Sequence, residues 1–340
     1  MPRVEHLFVE QFGSFVGKYS ERIIVTVKGE RVQQAPLLYL QSVTIASDGV
    51  SISSDTVSAC CERGIPIFFV NGYGSSVASL YAAGLNGTIL TRREQLRAYD
   101  DKRGVHLGCA FAAGKIENQA VTLKYFAKNR RDTPVGKRLI DASAAVRDHI
   151  ALIDRATSAQ RIEDVRELLM AAEGGGARVY WDAVREIVPE QYGWKNRETR
   201  GATDPVNSLL NYGYGILRSQ VERAVMYAGL DPFGGYVHAD RPGKPSLALD
   251  LIEEFRQTAV DRVVVGLVNR QFTVEQDDQG MLSLDTRRTY AGHIQAHLQT
   301  SVRYHGQQIR LAHVIQSQAR EIAAYVRGDR LTYEPYKAGW

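Results

Sequence analysis

In residues 234–257, GGYVHADRPGKPSLALDLIEEFRQ, a lone histidine, His238, sits in a Gly/Pro-rich loop and three acids, Asp250, Glu253 and Glu254, follow in the first turns of an apolar helix. Ser246, after Pro245, reads as the N-cap. At about 100° per residue, Asp250, Glu253, Glu254, Gln257 and Asp261 then share one narrow face, and Leu247, Leu251, Ile252, Phe255, Ala259 and Val263 cover the remainder. Like charges three and four residues apart repel by about 0.2–0.5 kcal/mol per pair on an open surface. Such a stripe is either solvated, helped by the helix dipole, or neutralised by a cation. A loop histidine with helical carboxylates is also a ligand set for a divalent ion, because carboxylates supply hard oxygen and imidazole suits manganese better than magnesium.

A fourth acid has a similar ambiguity. In LLMAAEGGGARVYWDAV, Glu173 reads as the end of an apolar helix, with Gly174 as its C-cap. A carboxylate there meets the unfavourable end of the dipole and needs a compensating partner, which a metal ion would supply. Asp261 lies too far along its helix to join the others and reads as a structural or surface acid. Cys60, Cys61 and Cys109 have no metal or redox-motif spacing and read as small buried residues in a reducing cytosol.

The elements that must position these groups fall into two halves. HLFVE, RIIVTV, SVTIAS and IPIFFV are short β-branched runs divided by turn signals, with one helix, SSDTVSACCERG, among them. Residues 1–80 are therefore expected to be a small strand-rich domain and 81–95 a linker. Residues 96–330 are expected to be all-α-helical, and the class is α+β. Helices are predicted over 101–131, 136–155, 161–173, 177–188, 206–228, 246–269 and 307–327, with a hairpin at 270–284 and a loose tail at 331–340.

The 340 residues are 44% hydrophobic and 24% charged, ordinary for a globular chain with a sizeable core. A net charge of +4 permits a polyanionic partner without demanding one, and arginine outnumbers lysine about threefold, which favours phosphate. No window approaches a membrane span, and MPRVEHLFVEQFG has no cleavage signal, so a cytoplasmic location is expected.

The segment NYGYGILRSQVERAVMYAGLDPFGGYVHADRPGKPSLALDLIEEFR resembles the signature region of the CRISPR-associated integrase family Cas1, and AAEGGGARVYW resembles that family's other ligand segment. DPVNSLLNYGYGILRS, GKIENQAVTLKYFAKNR and the order of the whole chain fit as well. The resemblance implies Glu173, His238, Asp250 and Glu253 as metal-binding and catalytic residues, with Mn2+ or Mg2+ as cofactor and Glu254 at the solvated edge. The implied function is spacer acquisition: a DNA 3′-hydroxyl attacks a phosphodiester at the leader-proximal CRISPR repeat. A metal-dependent nuclease without an integration role and a non-catalytic DNA-binding scaffold are the alternatives. The resemblance further implies a homodimer through the strand-rich domains, a small Cas2 partner and double-stranded DNA as substrate. Phosphate contacts would come from Lys115, Lys124 and Lys128 on one helix and from Arg197, Arg218, Lys244 and Arg256, each of which also reads as a solvated cation. Arg256 lies on the apolar side of its helix and is expected to pair with an internal acid or reach a phosphate. Tyr212 and Tyr214 read as core aromatics that could also stack on DNA ends.

Overall fold

The first strands follow the β-branched runs. In the computed structural model, which describes residues 4–71, 76–80, 89–199 and 201–339, the N-terminal elements are β1 (His6–Val9), β2 (Ser14–Tyr19), β3 (Arg22–Val27), β4 (Glu30–Pro36), β5 (Ser42–Ile45), β6 (Ser51–Ile52), α1 (Ser54–Glu62), β7 (Ile67–Val70) and β8 (Ser76–Leu80). They form two four-stranded sheets, ordered β1-β5-β7-β8 and β4-β3-β2-β6. β5 lies between two parallel neighbours, and all four of its residues are buried, as a central parallel strand requires. The Ser53 side chain caps α1 by accepting from the Thr56 amide. The expected helix among strands is therefore present. β2, β4, β6 and β8 were not among the expected strands. β2 and β4 carry Lys, Gln and Glu on open faces, which blurs a period-2 apolar signal.

The C-terminal elements are α2 (Ile89–Ala98), α3 (Lys102–Ala127), α4 (Pro134–Asp148), α5 (Ile150–Ala156), α6 (Arg166–Arg185), α7 (Pro205–Tyr227), α8 (Ser246–Ile252), α9 (Arg262–Asn269), α10 (Leu284–Leu298), β9 (Ser301–Tyr304), β10 (Gln307–Arg310) and α11 (Leu311–Val326). The class is α+β, a strand-rich region followed by a helical one. The two parts have separate apolar cores, one within residues 7–67 and one within 98–338. No helix among the described residues is long and apolar enough to cross a membrane.

Several expected boundaries are corrected. Residues 81–88 of the expected linker lie outside the described residues, and its remainder begins α2. The helices expected at 161–173 and 177–188 are one, α6, which passes straight through Gly174–Gly176. Gly175 serves packing rather than termination. A Cβ on Gly175 would come 2.4 Å from the His149 ring, whereas one on Gly176 would make ordinary contact with Gln119 and Ile116 of α3. At Gly175 that close approach stands against a helix cost of about 1 kcal/mol for a glycine. The helix expected over 246–269 is interrupted: Pro245, not Ser246, is the N-cap of α8, a turn follows Ile252, and residues 257–261 form a π-helical turn before α9. The hairpin expected at 270–284 is reduced to one bridge, Gln276 to Leu282. A true hairpin, β9–β10, takes the first turn of the helix expected at 307. The tail is not loose, since Tyr333, Tyr336 and Ala338 are buried.

Candidate active site

α3 and α6 pack together and bring Lys115 to Glu173. The Lys115 ammonium lies 3.1 Å from Glu173 Oε2 and 2.9 Å from Glu253 Oε2, bridging the two acids. The side chains are 16%, 10% and 3% exposed, so the cluster is almost withdrawn from water. Burial pushes the Glu173 carboxyl above its usual range against the pull of Lys115. Burial acts the same way on Glu253, but Arg256 and Lys115 outweigh it and hold that carboxyl low. Glu173 Oε1 is sealed from solvent with no hydrogen-bond partner.

Asp250 organises the loop carrying His238. Its Oδ2 accepts from the amides of Tyr236 (2.6 Å) and Val237 (3.1 Å), and its Oδ1 from the His238 amide (2.9 Å) and ring Nδ1 (2.7 Å). A carboxylate offers about four acceptor positions, and the chain uses all four. Asp250 therefore has none left for an ion, which corrects its expected place among the ligands to that of a positioning residue. His238 keeps Nε2, the arrangement that fixes tautomer and ring orientation in histidine metal ligands. Burial opposes the His238 charge, but Asp250, Glu253 and Glu173 together raise its pKa above the usual value.

Beyond Glu253 the chain of contacts continues. Arg256 Nε meets Glu253 Oε1 at 3.0 Å, and its guanidinium lies 4.6 Å from the centroid of the Tyr214 ring. The Tyr214 hydroxyl donates to Asp261 Oδ1, and the Tyr180 hydroxyl to Asp261 Oδ2 at 2.9 Å. Tyr180 stands two turns after Glu173 on α6, so this helix is tied to the interrupted helix at two levels. Asp261 is the structural acid expected, and Tyr212 and Tyr214 are core residues.

Residues 7–296 match the family model described as CRISPR associated protein Cas1. This chain belongs to the Cas1 family. It is 35% identical to CRISPR-associated endonuclease Cas1 1 of Archaeoglobus fulgidus, over 98% of this chain and 99% of that one. It is 33% identical to CRISPR-associated endonuclease Cas1 1 of Francisella tularensis subsp. novicida, over 99% and 100%. Among solved structures it is similar to a casposase bound to integration product (TM-score 0.83, 19% identity, 97% of this chain and 93% of that one) and to a Cas1 protein from Thermotoga maritima (TM-score 0.80, 18% identity, 98% and 100%). At those identities the structural likeness shows the fold.

Within this Cas1 fold, the expected cations divide. Arg197, Arg218 and Arg256 line one pocket of about 430 Å³, floored by Tyr212, Tyr214, Leu249 and Ile252. Arg197 is fixed there by Asn207 (3.0 Å) and Asn211 (2.6 Å). Lys124 and Lys128 are exposed at the far end of α3. Lys244 Nζ donates to the Ala239 carbonyl at 3.3 Å, within the His238 loop. Lys115 is corrected: it is the half-buried partner of Glu173 and Glu253, not an open phosphate contact. Nothing in the surrounding FAAGKIENQA sets this lysine apart from an ordinary helical cation.

Glu254 is also corrected. Rather than lying at a solvated edge, it is wholly buried and accepts from the Tyr333 hydroxyl (2.6 Å), Gln318 Nε2 (2.9 Å) and the Tyr336 amide (2.9 Å). Burial raises its pKa to about 7 against those hydrogen bonds. Asn118 of α3 joins the same clamp, donating to the carbonyls of Glu254 and Tyr336, both at 2.8 Å. The acid stripe thus has no solvated face: Asp250, Glu253, Glu254, Gln257 and Asp261 are all buried.

Proposed function

We propose that this chain is a CRISPR spacer-acquisition integrase, which joins the 3′-hydroxyl of a short double-stranded DNA fragment to a phosphodiester of the repeat. The observation that carries the reading is the meeting of Glu173 and Glu253 beside a histidine whose Nδ1 is held by Asp250. Glu173, Glu253 and His238 Nε2 would hold a divalent ion. The fit rests on two buried carboxylates, one with an orphaned oxygen, and on a histidine oriented for ligation. Mn2+ or Mg2+ bound there would supply a Lewis acid that polarises the phosphoryl oxygen and lowers the pKa of the attacking hydroxyl.

The chain's own residues do the rest. Asp250 fixes the His238 tautomer, with Nδ1–H donating and Nε2 left as the lone pair. Arg256 anchors Glu253 at the mouth of the pocket. With Arg197 and Arg218 it provides fixed positive charge for DNA phosphates, in a setting where such charge acts more strongly than in water. The likeness to Cas1 endonucleases and to a casposase bound to integration product supports phosphodiester chemistry on DNA.

Self-association and a Cas2 partner belong to the same reading. A Cas6-RT-Cas1–Cas2 complex is among the similar structures (TM-score 0.78, 22% identity, covering 98% of this chain and 36% of that one). The N-terminal region exposes Phe12, Phe15, Tyr19, Val32 and Leu38, an apolar set suited to pairing with a second copy.

The test is strand joining between a labelled DNA fragment with a free 3′-hydroxyl and a repeat-bearing plasmid. A joined product that needs Mn2+ or Mg2+ is expected. Full turnover in excess chelator would overturn the metal assignment. Hydrolysis without joining would instead assign a nuclease.

A further inference from the structure

We propose that Lys115 is the resident counter-cation of the site: its ammonium holds Glu173 and Glu253 together before a divalent ion arrives, and is displaced when the ion binds. The inference rests on the metal-site reading above and adds a positioning residue to it.

Three observations carry it. The Lys115 ammonium bridges Glu173 and Glu253, at 3.1 and 2.9 Å, where a shared cation belongs. Among the described residues no three His, Cys, Asp or Glu side chains converge closely enough to cage an ion as they stand. In the ion-free site the Lys115 ammonium stands between two of the proposed ligands. Third, Glu173 has one oxygen on Lys115 and the other buried without a partner, so the lysine satisfies the site only in part.

The charges follow the same logic. Two carboxylates against Lys115 and Arg256 leave the ion-free cluster neutral, which a nearly dry site requires. With Lys115 displaced, a divalent ion beside the two carboxylates and Arg256 brings the cluster to a surplus of one positive charge, which favours the negative charge that builds on a phosphodiester under attack. Holding the two carboxylates in place beforehand also reduces the reorganisation that ion binding would otherwise demand. The lysine side chain keeps 16% of its exposure.

The experiment is calorimetric titration of the full-length chain with Mn2+ alone, paired with thermal melting in chelator, for wild type, Lys115→Met and Lys115→Arg. In Lys115→Met the metal-free melting temperature should fall, because two buried acids lose their partner. Mn2+ should bind about tenfold more tightly, because the competing like charge beside the ion is gone. Lys115→Arg should melt near wild type and bind Mn2+ several-fold more weakly, since its fork grips carboxylates bidentately. Equal or weaker Mn2+ binding by folded Lys115→Met would overturn the inference. If Lys115→Met does not fold, wild-type Mn2+ affinity in Lys115→Arg would overturn it. A wild-type chain that binds no Mn2+ would overturn the metal-site reading itself, a result distinct from either.

Discussion

Glu253 and Glu254 are adjacent in the chain and serve opposite sides of the molecule. Glu253 meets Lys115 and Arg256 in the site, whereas Glu254 is sealed beneath Tyr333, Gln318 and the Tyr336 amide. Both acids lie in the turn that follows Ile252, where neighbouring side chains point in different directions.

Glu254→Ala should therefore be a stability variant. It orphans three donors and opens space beneath the C-terminal segment, at a cost of about 3 kcal/mol. Glu253→Gln should abolish strand joining while the chain still unfolds cooperatively. Denaturant unfolding and the joining assay on both variants check this. A Glu254→Ala protein as stable as wild type would show that the clamp contributes little.

Asp250→Asn should act through His238. An amide cannot accept at all the positions now filled by three backbone N–H groups and the ring, so the loop loses its anchor. Mn2+ affinity should drop by roughly 10–100-fold, the usual effect of removing a group that orients a ligand. Titration of the folded variant with Mn2+ measures it, and wild-type affinity would mean that Asp250 does not orient a ligand.

The arginine pocket predicts a salt effect. Arg218→Ala should lower the slope of log affinity against log salt for DNA binding by about one, uniformly across sequences. Binding isotherms between low and moderate salt test it. An unchanged slope would remove this pocket from the phosphate path.

The order of a strand-rich region before a helical one, α3 and α7 were legible because their signals are local: apolar period and Gly/Pro punctuation. The rest depends on partners distant in sequence. Gly174–Gly176 looks like a helix stop until α3 and His149 are seen against it. The segment after Arg330 looks like a solvated tail until Glu254 and Asn118 claim its Tyr333 and Tyr336. Lys115 looks like any helical cation, because nothing near it in sequence shows that two acids from other helices share its ammonium. Asp250 has the type of a ligand, and only the three amides converging on it reveal its positioning role.

The junction between the two cores should be acid-sensitive through His6. Its Nδ1 lies 2.8 Å from Ser42 Oγ, across the β1–β5 register. Arg223 of α7 donates to the neighbouring Gln41 carbonyl at 2.9 Å. Burial first, then the Arg223 charge, lowers the His6 pKa from 6.5 to about 4. The unfolded chain takes up this proton as pH falls through about 6.5, but the folded chain refuses it until about 4. The His6 contribution is thus fully present above that window and is lost as pH drops through it, by of order 2 kcal/mol at pH 5. His6→Gln keeps a side chain able to meet Ser42 and has no proton to gain. The stability difference between wild type and His6→Gln, measured by denaturant unfolding at pH 7 and pH 5, should shift toward the variant at the lower pH. This differential cancels the titration of Glu254 and Asp261, which have raised pKa values and respond in the opposite direction. A difference that does not move with pH would mean that His6 is as easily protonated in the fold as in the unfolded chain.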